Sequence, residues 1–367
     1  MEKIRFDDFI KLNRGFDLPD SQIEDGVYPV VASTNIKAHH STYKVNGPMV
    51  VTGRSGSLGA VQYIEGKCWP LNTTLYVKDF KNNNPRYVYY FLKTMHLEQY
   101  NAGAGVPTLN QNHLHSLKIN VHEKEVQRRI ASILSAYDNL IENNNKRIRL
   151  LEQMAENLYK EWFVRFRFPG HEKVEMENGL PKGWKIERLD ALASINMGQS
   201  PPSSFYNEEQ KGLPFHQGVG SYGDIYLKDE IYSTQGAKVA ESNSIIFSVR
   251  APVGRINITL NKIYLGRGVA AINAINGNNG FLYWSLRSKF AKEDTIGNGA
   301  IFSSVTRDEL GRQKMIVPDK STVAKFESIA NKMENLIRDI TNQNKSLTRQ
   351  RDLLLPRLMS GRLEVKE

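Results

Sequence analysis

Two arginines stand at the ends of apolar, strand-like runs, where they could bind the phosphates or bases of a nucleic acid. Arg54 ends the run Met49-Val-Val-Thr-Gly-Arg, and Arg250 ends the run Ser244-Ile-Ile-Phe-Ser-Val-Arg. Each is followed by a small-residue turn that ends in a glycine, Gly59 or Gly254. A guanidinium can bind a phosphate there, or donate two hydrogen bonds to O6 and N7 of guanine. A salt bridge inside the protein is the alternative.

Polar residues near these turns and in neighbouring loops are further candidates for contact with DNA. Amide, hydroxyl, imidazole and guanidinium groups bind phosphates and the edges of bases. The formal net charge of +10 at pH 7 also favours an anionic partner. The candidates besides the two arginines are Asn35, Lys37, Ser55, Asn72, Asn112, His113, Gln217, Arg255, Arg267, Thr306 and Arg307.

The chain has no convincing motif for catalysis, for a cofactor or for a metal. Gly218-Val-Gly-Ser-Tyr-Gly223 fits the dinucleotide pattern G-x-G-x-x-G, but a strand-like run follows it where a helix is required. The Ser200-Pro-Pro-Ser doublet lacks the flanking residues of an amino-methyltransferase loop, and no P-loop sequence occurs. The histidines have neither cysteine partners nor zinc spacing. We therefore predict a binding protein that is not itself an enzyme.

Composition places further limits on the kind of protein. The chain has 367 residues, which is enough for two or three domains, and a single cysteine, Cys68. One cysteine excludes a disulfide framework and fits a reducing compartment. The N-terminal residues do not form an export signal, and no apolar run is long enough to span a membrane. We expect a cytoplasmic protein with no membrane partner.

Two long helices are predicted from apolar residues that recur at alternating spacings of three and four. This spacing is typical of a coiled-coil seam, and each seam contains one asparagine, a residue that fixes helix register at some cost in stability. The central seam residues of the first helix are Ile141, Asn144, Ile148, Leu151 and Leu158, and those of the second are Ile337, Ile340, Asn344 and Leu347. Arg351 and Pro356 are expected to weaken the last turns of the second helix.

Each long helix follows a stretch rich in short β-type runs, and the two stretches share landmarks. In the first, the runs begin at Tyr28, Pro48, Ala60 and Thr74, and a short helix is predicted over 85–99. Matched landmarks include Gly15 with Gly198, Pro29 with Pro214, Arg54 with Arg250, Leu114 with Leu310, and the turns Gly103-Ala-Gly105 and Gly297-Asn-Gly299. A period of roughly 195 residues indicates a twofold duplication rather than a solenoid.

The predicted fold class is α+β, with two similar mixed modules separated by two long helices. We define module 1 as residues 1–122 and module 2 as residues 181–318. The helices are expected over 123–165 and 319–361, with a linker over 166–180. The shared scaffold with different loop residues suggests two different targets, although duplicated loops also diverge without functional cause.

Three motifs, in this order of modules and helices, resemble one known family. They are Gly105-Val-Pro-Thr-Leu-Asn110, Val126-Gln-Arg-Arg-Ile-Ala-Ser-Ile-Leu, and the restart Gly179-Leu-Pro-Lys-Gly-Trp184 after the helix ending Leu150-Leu-Glu-Gln-Met-Ala-Glu-Asn-Leu. The chain is similar over nearly its whole length to the specificity subunit of Type I restriction–modification enzymes. It departs from the pattern at its start, because Glu2-Lys-Ile-Arg has no Leu-Pro-x-Gly-Trp sequence before it.

The resemblance implies two target-recognition domains held by two conserved helices that pack as an antiparallel coiled coil. Each domain would read half of a bipartite, asymmetric site in double-stranded DNA. Two methyltransferase subunits carrying S-adenosylmethionine would dock on the helices, and restriction/translocase subunits using ATP and Mg²⁺ would join them. This chain would then hold no cofactor and no metal, and would catalyse nothing. The alternatives are a coiled-coil assembly scaffold that does not bind DNA specifically, and a free-standing enzyme fused to its own DNA reader.

Overall fold

The structure is a computed structural model that describes residues 1–290 and 304–365. The chain divides into two compact units, one of Met1–Lys146 with Thr341–Glu367 and the other of Arg147–Ile340. Each unit therefore contains one module and a part of each long helix. The predicted glycine turn Gly297-Asn-Gly299 lies outside the described residues.

Module 1 is built from a four-stranded antiparallel sheet, a three-stranded sheet and a two-stranded pair. The strands are β1 Glu2–Arg5, β2 Lys11–Arg14, β3 Tyr28–Val31, β4 Ile36–His40, β5 Met49–Gly53, β6 Val61–Ile64, β7 Trp69–Pro70, β8 Thr74–Asp79 and β9 Lys118–Val121, and the helices are α1 Phe6–Phe9, α2 Pro85–Thr94 and α3 Gln111–Ser116. The sheets have the orders β2-β8-β5-β6 and β4-β3-β7, and β1 pairs with β9. The four predicted β-type runs are confirmed as β3, β5, β6 and β8.

The core of module 1 forms where the aromatic face of α2 packs on α1 and on the four-stranded sheet. Tyr87 and Tyr90 of α2 and Phe6 and Phe9 of α1 are fully buried in one cluster. Asn84 caps α2, because its side chain accepts a hydrogen bond from the Tyr87 N–H at 3.0 Å. The helix ends at Thr94, earlier than the predicted 99. His96 has a φ of +50°, a conformation that an α-helix cannot contain.

A long helix follows each module. The first is α4 Lys124–Tyr159, which continues as a π-helical turn over Lys160–Val164. A short hairpin, β10 Met176–Glu177 with β11 Leu180–Pro181, lies between α4 and module 2.

The described residues of module 2 repeat the architecture of module 1. Its strands are β12 Lys185–Arg188, β13 Ala193–Met197, β14 Tyr206–Asn207, β15 Leu213–His216, β16 Tyr232–Ser233, β17 Val239–Ala240, β18 Ile245–Ser248, β19 Ile256–Ile258, β20 Ile263–Leu265, β21 Val269–Ala274 and β22 Lys314–Val317, and its helices are α5 Leu189–Leu192, α6 Asn279–Lys289 and α7 Arg307–Gly311. The sheets have the orders β13-β21-β18-β19 and β14-β16-β15-β20-β17, and β12 pairs with β22. The second long helix, α8 Lys320–Met359, follows β22.

The duplication extends to individual hydrogen bonds. The Phe6 N–H donates to the Leu117 carbonyl at 2.9 Å, and the Leu189 N–H donates to the Gln313 carbonyl at 2.8 Å. The predicted twofold repeat is thereby confirmed at atomic detail over the described residues.

In the first compact unit, α4 and α8 pack in opposite directions. Asn144 bonds to Asn344, whereas Asp138, earlier on α4, bonds to Arg351, later on α8. Asn144 is fully buried, and its amide donates to the Gln343 and Asn344 side-chain oxygens at 2.8 and 2.9 Å. The predicted seam asparagines therefore pair, as is typical of a polar contact that fixes register.

At the end of α8, Arg351 takes a seam position and has a charged partner. Its guanidinium is 17% exposed and donates to the Asp138 carboxylate at 2.6 Å, so a charged pair replaces an apolar seam contact. The helix also continues through Pro356 to Met359, where Leu355 and Leu358 pack into the core of the first unit.

In the second compact unit, the other halves of the helices share a core with module 2. Ala155 and Ile337 are buried there, and Ile148, Leu151 and Leu158 pack against the same cluster. Full burial of a side chain such as that of Ile337 contributes ~1.5–3 kcal/mol. No helix within residues 1–290 and 304–365 is long and apolar enough to cross a membrane.

Candidate nucleic-acid interface

In module 1, several strand-end loops converge on the carbonyl group of Thr73. The Arg54 and Ser55 N–H groups donate to this oxygen at 2.8 and 3.1 Å, and the Ser33 hydroxyl donates to it at 2.9 Å. The Leu109 N–H then donates to the Arg54 carbonyl at 2.8 Å, which adds a fourth loop. Separate segments are thus held together by hydrogen bonds to backbone carbonyl groups.

The predicted DNA-contact residues of module 1 take different places around this frame. Arg54 is half-buried, and its Nε donates to the Asn72 carbonyl at 2.9 Å, while the Asn72 amide donates to Asp17. Asn35 is exposed, and its carbonyl accepts from the Ala32 N–H at 2.9 Å. The structure therefore brings Arg54, Ser55, Asn72 and Asn35 into the converging loops.

Three other candidates of module 1 lie outside that frame. Lys37 is on β4, and its ammonium pairs with Asp20. Asn112 and His113 are exposed on the first turn of α3, which Asn110 caps through a bond from the Asn112 N–H at 2.9 Å. The His113 ring contacts Tyr100, with 6.2 Å between ring centroids.

Module 2 holds its loops with the same pattern of backbone bonds. The Val249 N–H donates to the Gly268 carbonyl at 2.9 Å, and the Val305 N–H donates to the Val249 carbonyl at 2.8 Å. The Arg267 N–H also donates to the Ser200 hydroxyl at 3.1 Å, which attaches the loop that follows β13. The bonds of Val249 and Val305 correspond to those from the Arg54 N–H to Thr73 and from the Leu109 N–H to Arg54 in module 1.

This correspondence corrects the predicted match between the two arginines. Ser55 forms a β-bridge with Thr108, and its counterpart in module 2 is Arg250, which forms a β-bridge with Ser304. Arg54 therefore matches Val249, which is only 3% exposed, and the predicted match of Arg54 with Arg250 is wrong by one residue. Because successive side chains of extended backbone point to opposite sides, the two arginines face different environments. Arg250 is exposed, whereas Arg54 is tied to its own module.

The remaining candidates of module 2 lie on exposed positions of its loops. Gln217 follows β15, Arg267 lies between β20 and β21, and Arg255 precedes β19. Thr306 has a structural task, because it caps α7 by accepting from the Glu309 N–H at 3.3 Å and donating to the Glu309 carboxylate at 2.8 Å. Arg307 is exposed at the start of α7.

A buried histidine next to Gln217 is a feature that the sequence did not reveal. His216 is 1% exposed, and its two ring nitrogens contact the Ser221 hydroxyl at 2.8 Å and the Asp229 carboxylate at 3.0 Å. The second Asp229 oxygen accepts from the Asn261 amide at 2.6 Å. In the sequence, the only sign of this network is a histidine directly after the apolar run Leu213-Pro-Phe.

Each module is also attached to the long helices through a carboxylate. The Tyr90 hydroxyl of α2 donates to Asp138 on α4 at 2.5 Å, and burial together with this bond raises the pKa of Tyr90. At the matching position of α6, the Trp284 indole donates to Glu334 on α8 at 3.3 Å. Burial, followed by the nearby Glu327 carboxylate, raises the pKa of Glu334 to about 7. Both carboxylates accept a hydrogen bond from an aromatic side chain of a module.

The described residues contain no group of three or more His, Cys, Asp or Glu side chains placed to hold a metal ion. The lone Cys68 is buried, and burial raises the pKa of its thiol to about 12, so it is a poor nucleophile. The arrangement that remains is two similar modules with polar loop surfaces on a pair of long helices.

The duplicated modules and the two long helices match a known family. Residues 1–153 and 181–349 match the model of the Type I restriction modification DNA specificity domain, and the chain belongs to that family. It carries two copies of the domain and is a specificity subunit of the type I restriction–modification class.

Individual relatives agree with this family. The protein assigned as the MjaX type I restriction enzyme specificity subunit of Methanocaldococcus jannaschii is 32% identical over 84% of this chain and 76% of its own length. The MjaIX specificity subunit of the same organism is 27% identical over 88% of this chain and 78% of its own length. The crystal structure of the S subunit from M. genitalium covers 100% of this chain and 96% of its own, with a TM-score of 0.64 at 18% identity, and so has the same fold.

Proposed function

We propose that modules 1 and 2 each read one half of a bipartite, asymmetric sequence in double-stranded DNA. The observation that supports this most directly is the shared loop frame carrying different side chains. Ser55 stands where module 2 has Arg250, and Asn72 stands where it has Arg267. The common frame would set the same approach to DNA in both modules, while different donors and acceptors would select different bases.

The long helices would serve as the assembly platform in this proposal. Apolar side chains outside the seam are exposed on both helices, including Leu150 at 59%, Met154 at 54% and Leu353 at 54%. Such residues suit docking of other subunits. Two methyltransferase subunits would bind here and carry S-adenosylmethionine, and restriction/translocase subunits would bring ATP and Mg²⁺. This chain would direct their chemistry and perform none.

We propose the module limits 1–122 and 181–318 as the target-recognition domains, with 123–165 and 319–361 as the connecting helices. We also propose a cytoplasmic place of action, because the DNA substrate and the partner subunits would be found there.

Binding to duplex DNA at several salt concentrations tests the proposal. A complex of this chain with its methyltransferase subunits is expected to bind more weakly as salt rises, because phosphate contacts release counterions. Sequencing of the DNA methylated by that complex should give one motif of two parts separated by an unread spacer. A complex that methylates without a two-part motif would instead support the role of an assembly scaffold.

A further inference from the structure

We propose that Gln217 reads an adenine in the half-site of module 2, and that His216 is the residue that positions it. This inference rests on the proposed function and adds the identity of one base contact.

Two glycines, Gly266 and Gly268, pack closely against Gln217. The Gly266 N–H donates to the His216 carbonyl at 2.7 Å, which joins the end of β15 to β20. A Cβ at position 266 would lie 2.3 Å from the Gln217 Cβ, and one at position 268 would lie 2.2 Å from the Gln217 carbonyl oxygen. Any side chain at either glycine would displace Gln217, so its placement depends on both.

The His216 ring fixes the turn that follows Gln217. Because the Asp229 carboxylate accepts hydrogen bonds, Nε2 of His216 donates to it at 3.0 Å, and Nδ1 contacts the Ser221 hydroxyl at 2.8 Å. The Ser221 hydroxyl donates to the Gly218 carbonyl at 3.2 Å. The turn over 218–221 is thereby held from within the module, and Gln217 is the residue that enters it.

Gln217 is exposed and lines an open cavity. The cavity has a volume of about 580 Å³ and is bounded by Phe215, Ser221, Glu208 and Glu230 among others. Its two glutamates disfavour a phosphate group. A side-chain amide presents one donor and one acceptor, which match N7 and N6 of adenine in the major groove. The chemistry therefore favours a base edge, and adenine among the bases.

Module 1 supplies an internal comparison. Val31 pairs in parallel with Pro70, as His216 pairs with Leu265, so Ala32 stands where module 2 has Gln217. Ala32 has no side-chain hydrogen-bonding group, and its backbone bonds to Asn35 and Gln62. The two modules therefore differ at this position in whether the side chain can hydrogen-bond to a base.

The test is the methylation of a randomised duplex library by the complex with its methyltransferase subunits, using S-adenosylmethionine. Gln217→Ala, which copies the module 1 residue, should reduce the preference for A·T at one position roughly 5- to 150-fold. Gln217→Glu should shift the preference there towards cytosine, whose N4 amine donates to a carboxylate. Gln235→Ala, at another exposed glutamine of module 2, is the control and should leave the motif unchanged.

The positioning role of His216 is tested with Asp229→Asn and His216→Phe. Asp229→Asn keeps the shape of its side chain, and relaxed preference at the same position, with the rest of the motif intact, is the expected result. A folded Asp229→Asn complex with full preference at that position would overturn the positioning role.

Two further outcomes separate this inference from the function on which it rests. If Gln217→Ala leaves a defined two-part motif unchanged, or relaxes a G·C position, the adenine assignment is wrong and the reading function stands. If the wild-type complex shows no defined half-site for module 2, the proposed function itself fails.

Discussion

Arg54 and Arg250 are expected to respond to mutation in different ways, although sequence alone treats them as equivalents. Arg54→Ala should mainly destabilise module 1. Arg250→Ala should mainly weaken binding to DNA. The reason is the one-residue offset, which places the exposed Arg250 at the position of Ser55 and Arg54 at the position of the buried Val249.

The expected magnitudes follow from the contacts of each side chain. The Nε of Arg54 donates to the Asn72 carbonyl at 2.9 Å in a half-buried place. A hydrogen bond from a charged donor stabilises a fold by ~1.5–3 kcal/mol, and partial exposure places this one near the lower end. If Arg250 contacts a base, its loss should cost ~1–3 kcal/mol of binding and relax one position of the motif. If it contacts a phosphate, its loss should lower affinity evenly across DNA sequences. The slope of log affinity against log salt concentration should then become about one unit less steep.

Two measurements on the same proteins separate these effects. Urea unfolding of each variant gives the change in the free energy of unfolding, and titration with duplex DNA at several salt concentrations gives affinity and salt slope. Arg54→Lys is a useful partner variant, because it retains the charge and loses the planar group that reaches the Asn72 carbonyl. It should be destabilised nearly as much as Arg54→Ala.

The reasoning is refuted by the opposite pattern. An Arg54→Ala protein with wild-type stability and weakened DNA binding would show that Arg54 is the reader. An Arg250→Ala complex with unchanged affinity and motif would remove that residue from the interface.

Three other predictions concern the modules and their attachment. Exchanging residues 181–318 for the equivalent module of a relative should change one half of the methylated motif; a change in both halves would refute modular reading. Because the pKa of Glu334 is raised to about 7 from 4.5, its contribution to stability is full below pH 4.5 and is lost as pH rises through 7. Glu334→Gln should therefore lose less stability than wild type between pH 4.5 and 8, by on the order of 3 kcal/mol in thermal unfolding, with the exposed Asp339→Asn as control. Arg351→Met breaks the Asp138–Arg351 pair and should lower the free energy of unfolding by about 2 kcal/mol. This is less than the loss expected for a fully buried pair, because the two side chains are 17% and 18% exposed. A double-mutant cycle with Asp138→Asn measures the coupling, and a value near zero would contradict it.

Much of the fold follows from patterns that are local in the sequence. The alternating three and four spacing of Ile141, Asn144 and Ile148 identifies a long helix because side chains three and four apart share one face. The runs that became β3, β5, β6 and β8 are apolar and bounded by turn residues. The end of α2 does not follow from the sequence, because a positive φ at His96 stops the helix and the residue types there do not mark that point.

The candidate DNA surface could be predicted only as a set of residues and not as an arrangement. Arg54 and Arg250 seemed equivalent because their flanking residues look alike, whereas equivalence is set by which backbone groups bond to Thr73 and Gly268. Those bonds join segments far apart in the chain, and a shift of one residue leaves composition and pattern unchanged.

The sequence by itself determined the duplication, the paired helices and the family, because each depends on spacing or motif order within a continuous stretch. Only the tertiary structure decided which polar residues have partners. Arg351 meets Asp138 across more than two hundred residues, and His216 meets Asp229 through the turn that follows Gln217. Contacts of this kind depend on the tertiary fold, and the local periodicity of the sequence does not specify them.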